Sequence, residues 1–489
     1  MKDSALRSKI VKSFVWLSSG TLFIQIISWA STIIVIRLLS PSDYGLMAMA
    51  LPILFLMQMI SYWGIGSALV QHKDLNETKI SQLFGFIILV FSCAVLIIML
   101  SAPLVASFFH EERLIPILRV LSLNFIFMSL YLIPDSLLFR EMDFHTKTQA
   151  DISSRLVAAA VAIICAFNSL GVWSLIFAEC CMHITKAIHL NVVYPKRYRP
   201  IFRFDECREL INFGMLVSGT VFFIYLFTQA DKIIVGKYLG KELLGVYAVA
   251  LNLALLPKEK ILPIITQISF SAYSKIQEDT SRIRSSLLLT IEIIALVAFP
   301  LFWGMATIAD KAIPLILGPH WKQAALPFEL LCIVIPLLTI SPLYPSALNA
   351  IGKTRVVFSN SVIEASLVVV AMLIGVRYSL LGVSLSWIIF YSAAFIIVSR
   401  RSLNSLNIGM NELFARLSFP FCASLVMAMS VILFKRLLVD YMNSVSLLSL
   451  SIITGAFIYG MFVMIYKKEK IISLKNMYNA RKVTPDSAS

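Results

Sequence analysis

Charge is scarce in this sequence. Of its 489 residues only 14% are Asp, Glu, Lys or Arg, 59% are hydrophobic, and the mean hydropathy is +0.85. Soluble domains carry about 25% charged residues, so a soluble enzyme or binding module is excluded. Acidic residues are the scarcer sign, with 27 Asp and Glu against 42 Lys and Arg. The seven cysteines (Cys93, Cys165, Cys180, Cys181, Cys207, Cys332 and Cys422) form no CxxC and have no histidine at metal-ligand spacing. They read as small buried apolar residues rather than ligands or disulfide partners. No HExxH, no GxSxG and no long loop with clustered catalytic residues occurs, which argues against a membrane-bound sugar ligase or polymerase. Gly352, Lys353 and Thr354 spell GKT, but Ala347 stands where a P-loop needs its first glycine, and an apolar helix rather than a strand precedes it. Nucleotide binding is therefore rejected.

Long apolar runs take the place of all this. Runs of about 20 residues, enough to cross the hydrocarbon of a bilayer, recur almost without pause from Val11 to Tyr466. Cut at their charged, proline and glycine punctuation, they predict an all-α polytopic membrane protein of about fourteen transmembrane helices. The first run is too long for a cleavable signal peptide and lacks a small-residue cleavage site. Assigning the N-terminus, every second loop and the C-terminus to one side gathers most of the lysines and arginines there, which predicts that both termini are cytoplasmic. The richest loop carries Lys196, Arg197, Arg199, Arg203 and Arg208. The net charge of +15 then reflects topology and attraction to anionic lipid, not a nucleic-acid partner.

The chain also repeats itself. FVWLSSGTLF from Phe14 aligns with FGMLVSGTVF from Phe213, and IIVIRLLSPSDYGLMAMA from Ile33 with IIVGKYLGKELLGVYAVA from Ile233. Arg37 then matches Lys237, Gly45 matches Gly245, and Ala48 and Ala50 match Ala248 and Ala250. Six spans separate the copies, an even number, so the repeat is parallel and its axis runs along the membrane normal. The expected organisation is an N-lobe of helices 1–6 (residues 1–195), a cytoplasmic linker (196–208), a C-lobe of helices 7–12 (209–400), and two further helices with a tail (401–489). Two six-helix lobes are the usual frame for alternating access.

Several segments carry a family resemblance. QADKIIVGKYLG followed by LGVYAVA, GIGSALVQHKDLNE after the second span, LFREMDF after the fourth and NAIGKTR after the tenth, in that order along the chain, resemble the polysaccharide transporters of the multidrug/oligosaccharidyl-lipid/polysaccharide exporter superfamily. The closest likeness is to Wzx-type exporters of the colanic-acid and teichuronic-acid kind. The resemblance implies a flippase of the bacterial inner membrane that moves an undecaprenyl-diphosphate-linked sugar repeat unit to the outer leaflet. It further implies membrane lipid as surroundings, polymerase and chain-length machinery as partners, and no cofactor beyond a coupling proton or sodium ion. The rival readings are a multidrug cation antiporter of the same superfamily and a membrane glycosyltransferase.

Charges within spans are the candidate site. A lysine or arginine at the bilayer centre costs about 3 kcal/mol, so it faces a cavity or a partner. Arg155, Lys186, Lys232, Lys258 and Lys260 are the candidate cationic cavity for an anionic headgroup, whereas Arg119 and Arg416, near span ends, are expected to snorkel. Glu179, His183 and Lys186 share one helical face, as cavity wall or as an internal pairing. Asp151 four residues before Arg155 predicts an intrahelical pair. Pro257 and Pro263 bracket Lys258, Glu259 and Lys260, which predicts a hinge and cationic wall or else an interfacial cluster beyond an earlier helix end. Asp231, Glu259, Glu364 and Glu179 are the candidate coupling or gating carboxylates, with Glu292 a weaker one. Asp231 and Lys232 interrupt an otherwise uncharged run from Phe213 to Val235, as a gate that pairs in one state or as a local ion pair.

Overall fold

The computed structural model describes residues 25, 27–62, 69, 75–194, 196–205, 208–275 and 279–466, the side chains of 60–62, 208–221, 260–261, 263–272, 274–275 and 280 excepted. Every regular element among them is helical. In chain order they are α1 (Ile27–Leu38), α2 (Pro41–Tyr62), α3 (Glu77–Phe109), α4 (Leu114–Ser122), α5 (Asn124–Arg140), α6 (Phe144–Phe167), α7 (Trp173–Val193), α8 (Arg208–Lys275) and α9 (Thr280–Leu317). A short turn of 3-10 helix follows, then α10 (Ala325–Ile340), α11 (Leu343–Ala350), α12 (Thr354–Gly375), α13 (Ser379–Ser386), a π-turn over Trp387–Tyr391, α14 (Ser392–Ser405), α15 (Met410–Leu438) and α16 (Ser444–Tyr466).

Local chemistry sets these boundaries. The Asn76 side chain accepts the Lys79 backbone N–H at 2.7 Å and opens α3, and Asp143 does the same for α6 through Thr146 N–H at 3.1 Å. Left-handed His110 closes α3. Within α8 the chain turns at Gly240, whose φ of 79° is open to glycine at little strain. That break falls between the expected seventh and eighth spans. The helix then continues through Pro257 and Pro263 to Lys275, so the lysine cluster lies inside it and not beyond an early end.

Ten helical segments among the described residues are long and apolar enough to cross a membrane. Their outward faces are apolar: Leu100, Leu104, Phe457 and Met464 are each about 70% exposed or more. Such a surface has no place in water and reads as lipid-facing. The protein is an all-α, polytopic membrane protein.

The helices form two compact units. One comprises Met1–Val249, Ile316–Ala324 and Ser361–Ser386; the other comprises Ala250–Leu315, Ala325–Asn360 and Trp387–Ser489. Within the first, the two copies of the repeat meet. A Cβ on Gly45 would lie 1.7 Å from the Lys241 carbonyl oxygen, and one on Gly245 would lie 1.7 Å from the Pro41 carbonyl oxygen. Gly45 and Gly245 are repeat partners, and so are Pro41 and Lys241, so each copy presses its glycine against the same point of the other. Reciprocal contact of this kind is what a local two-fold relation produces. The copy beginning at Phe14 lies largely outside the described residues. Trp321 also belongs to this unit, fully buried and donating from Nε1 to the Ile36 carbonyl at 2.8 Å.

In the second unit, buried Glu292 accepts from Arg416 Nη1 at 2.7 Å, and Lys435 pairs with Asp310 at 2.5 Å. Arg416, 42% exposed along its side chain, is also paired. A buried carboxylate claims it, because a charge held in apolar surroundings needs a counter-charge more than its partner needs water.

Candidate functional site

A cavity of about 310 Å³ opens among the helices of the first unit. From α2, Leu51, Phe55 and Gln58 reach it at spacings that keep them on one face. Asn124, Phe125 and Met128 come from the first turns of α5, Glu179, Met182 and His183 from α7, and Gln229 and Lys232 from α8. Most of the lining residues on a given helix lie three or four apart, so one stripe of each faces inward.

The polar groups are only partly spoken for. His183 Nδ1 lies 3.1 Å from the Tyr131 hydroxyl and Nε2 lies 3.5 Å from Glu179 Oε1. The Tyr131 and His183 rings are parallel within 6°. Lys232 Nζ donates to Gln229 Oε1 at 3.1 Å. Asn124 is 5% exposed, yet its Oδ1 accepts no hydrogen bond. Leaving a buried amide oxygen without a donor costs about 1–3 kcal/mol.

Asp231 and Lys232 go separate ways here. Buried Asp231 accepts from the Tyr247 hydroxyl at 2.7 Å and from the Lys232 backbone N–H at 2.7 Å, while the Lys232 ammonium reaches Gln229 in the cavity. Tyr247 lies beyond the Gly240 break, so this carboxylate ties the two segments of α8 together. Successive helical residues point about 100° apart, which is why the pair divides.

Lys186 lies one turn from His183 but belongs to a different cluster. Its Nζ is 2.8 Å from Asp151 and 3.1 Å from Asp135, and it sits 5.1 Å from the centre of the Tyr131 ring. Lys147 meets Asp135 at 2.5 Å. Two ammonium groups and two carboxylates are thus mutually neutralised, and Asp151 is held by Lys186 across α6 and α7 rather than by Arg155 along its own helix. Arg155 is exposed and does not line the cavity. Glu364 is half-buried, engaged with neighbouring groups and away from the cavity wall. Lys258 in the second unit is half-buried and engaged, Glu259 is exposed, and the Lys260 side chain lies outside the described residues.

Of the nine sequence candidates the cavity therefore brings together Glu179 and Lys232. Sequence reasoning passed over Gln58, Asn124, Gln229 and the aromatic Phe55. Gln229 three residues before Lys232 was a visible signal; the single amides Gln58 and Asn124, each in an apolar run, signalled nothing until the helices converged.

Helices of this length and apolarity around a polar pocket define a polytopic helical membrane fold, and solved structures share it. The lipid II flippase MurJ in its inward closed conformation superposes with a TM-score of 0.76 at 16% identity, covering 94% of this chain and 100% of that one. An inward-facing multidrug resistance MATE family transporter of the MOP superfamily gives 0.57 at 12% identity, over 81% of this chain and 99% of its own. Residues 34–326, more than half of the chain, match the model for the family described as "Polysaccharide biosynthesis protein", and the chain belongs to that family. Among curated relatives, the succinoglycan biosynthesis transport protein ExoT of Rhizobium meliloti is 26% identical over 469 residues, 92% of this chain and 91% of ExoT. The teichuronic acid biosynthesis protein TuaB of Bacillus subtilis is 25% identical over 356 residues, 72% of this chain and 74% of TuaB. The lipopolysaccharide biosynthesis protein WzxC of Escherichia coli is 24% identical over 397 residues, 79% of each chain.

Proposed function

We propose that this protein is a flippase of the bacterial inner membrane, carrying a lipid-linked oligosaccharide repeat unit from the cytoplasmic to the outer leaflet for surface polysaccharide assembly. The observation that carries the proposal is the polar cavity of Gln58, Asn124, Glu179, His183, Gln229 and Lys232 inside helices whose outer faces are apolar. A hydroxyl-rich headgroup needs such a wet compartment, because crossing hydrocarbon would strip its hydrogen bonds at several kcal/mol per group. The carrier lipid's apolar tail needs no such shelter and can stay among lipid acyl chains. Relatives named for succinoglycan transport and for teichuronic acid and lipopolysaccharide biosynthesis, and the fold shared with MurJ, support the same reading. The protein transports; it is not an enzyme.

The finer reading is an undecaprenyl-diphosphate carrier, both termini in the cytoplasm, and handover to a polymerase with its chain-length machinery. Lys258 and Lys260 in the second unit are the proposed contacts for the diphosphate, with a proton or sodium gradient resetting the cycle. The test is depletion of the protein in its own host followed by extraction of lipid-linked glycans. Accumulation of one repeat unit on the carrier, accessible only from the cytoplasmic face, is the expected result; an unchanged lipid-linked pool with normal surface polymer would overturn the proposal. Replacing Lys258 and Lys260 together should reproduce the accumulation while the protein still reaches the membrane. Cysteines placed in 196–205 should label from the cytoplasm, and labelling from outside would reverse the topology.

A further inference from the structure

We propose that the cavity between α2, α4–α5, α7 and the first segment of α8 is a saccharide subsite, shaped for an uncharged pyranose ring of the transported glycan and not for its diphosphate. The inference rests on the flippase reading and concerns which portion of the cargo this pocket holds.

Charge comes first. Among the described lining residues Lys232 is the one permanent cation and Glu179 the one carboxylate, so the described wall is close to neutral. A diphosphate site gathers two or more cationic groups around the phosphates, with arginine forks favoured. Here a diphosphate brought to Lys232 would share about 310 Å³ with a carboxylate. Lys186, one turn beyond His183, and Lys147 are already neutralised by Asp135 and Asp151.

The remaining polar groups suit hydroxyls. Gln58, Asn124 and Gln229 are amides, each offering a donor and an acceptor, and sugar hydroxyls do both at once. Asn124 lines the cavity, and its amide is of the kind that pairs with sugar hydroxyls. A pyranose also presents an apolar C–H face that packs on aromatic rings. Phe55 provides such a ring: it lines the cavity, is 39% exposed, and is held by stacking on Tyr225 at 6.1 Å and 13°. The volume lies at the lower end of the range for small-molecule pockets, which suits one or two sugar rings and not a whole repeat unit.

The test uses the full chain in nanodiscs of phosphatidylethanolamine and phosphatidylglycerol. Its probes are farnesyl diphosphate and farnesyl-diphosphate-linked glucose, galactose and N-acetylglucosamine, with binding measured by calorimetry. At least one glycosylated probe should bind about fivefold or more tightly than farnesyl diphosphate, the value of one or two good hydrogen bonds. Asn124→Leu and Phe55→Leu should each bring that ratio toward one while leaving farnesyl diphosphate affinity unchanged. Asn124→Leu should also leave the melting temperature unchanged or raise it, since it removes an unsatisfied buried acceptor, an outcome that a merely structural asparagine would not give. Equal wild-type affinity for all four probes would overturn the subsite. So would variants that weaken bare farnesyl diphosphate as much as the glycosylated probes, which would assign the pocket to the diphosphate. Failure of every probe to bind, the bare diphosphate included, would instead count against the flippase reading itself.

Discussion

Adding one methyl group at Gly45 should push a pair of helices apart. An ideal Cβ there lies 1.7 Å from the Lys241 carbonyl oxygen, 2.5 Å from its carbon and 3.0 Å from its Cα. A carbon and a carbonyl oxygen settle no closer than about 3.3 Å, so the backbones must separate by about 1.6 Å. The obstacle is backbone on both sides, and no side-chain rotation relieves it. The helices that separate carry Leu46, Met49, Val246 and Val249, each 1–2% exposed, and a gap of about 1 Å forfeits a quarter to a half of each contact's attraction. Overpacking in a closed core costs about 1–3 kcal/mol, and a backbone-on-backbone clash belongs at the top of that range. We predict a loss of about 3 kcal/mol for Gly45→Ala and a similar loss for Gly245→Ala, whose Cβ meets Pro41 in the same way. Because one separation relieves both clashes, the double variant should lose clearly less than the sum of the singles. Thermal unfolding of the detergent-purified protein, followed by circular dichroism, gives the comparison. A Gly45→Ala protein that melts within about 1 °C of wild type would refute the close approach, and strict additivity would refute the shared seam.

Three further comparisons test the buried charges. Arg416→Met removes one partner of the buried Glu292 carboxylate and should cost about 1–3 kcal/mol, part of it recovered by adding Glu292→Gln; equal stability of the single and double variants would contradict the pairing. Lys186→Met should destabilise more than Lys147→Met, because Lys186 serves two carboxylates and Lys147 one, a ranking that comparative melting settles. Tyr247→Phe removes a donor from buried Asp231 and should cost about 1–3 kcal/mol, whereas Lys232→Met should leave the melting temperature near wild type and reduce transport. The reverse order would mean that Lys232, and not Tyr247, supports the Asp231 carboxylate.

The fold was legible in the sequence to the extent that it depends on periodicity and composition along one chain. Apolar runs marked the helices, and the repeat alignment paired Gly45 with Gly245, but that the two glycines press on each other's copy was not legible before the helices were packed. The lysine cluster at Lys258 and Lys260 was legible as a cluster, with its bracketing prolines read as a hinge or else an earlier helix end; the second segment of α8 runs on past both prolines to Lys275. Pairings between helices were the unreadable portion. Asp151 has Arg155 four residues ahead, yet its partner is Lys186, because the packing of α6 on α7 brings a closer ammonium than the helix itself supplies. Arg416 looked free to reach water and is claimed by Glu292, 124 positions away. Uncharged amides carry the least signal of all: Gln58 and Asn124 acquire meaning only when α2, α5, α7 and α8 bring them to one cavity. Charge pointed to cations, while the described wall of the pocket carries one lysine and one glutamate.

The central claim is transport of a lipid-linked glycan, and the most direct measurement is flipping by the purified protein. Proteoliposomes loaded with the carrier-linked repeat unit from the host, probed with a membrane-impermeant lectin or glycosidase, report how much glycan crosses between leaflets. The account predicts that crossing exceeds that of protein-free liposomes and is lost when Gln58, Asn124 and Lys232 are replaced together in a protein that still folds. Crossing no faster than in protein-free liposomes, or undiminished in that triple variant, would contradict it.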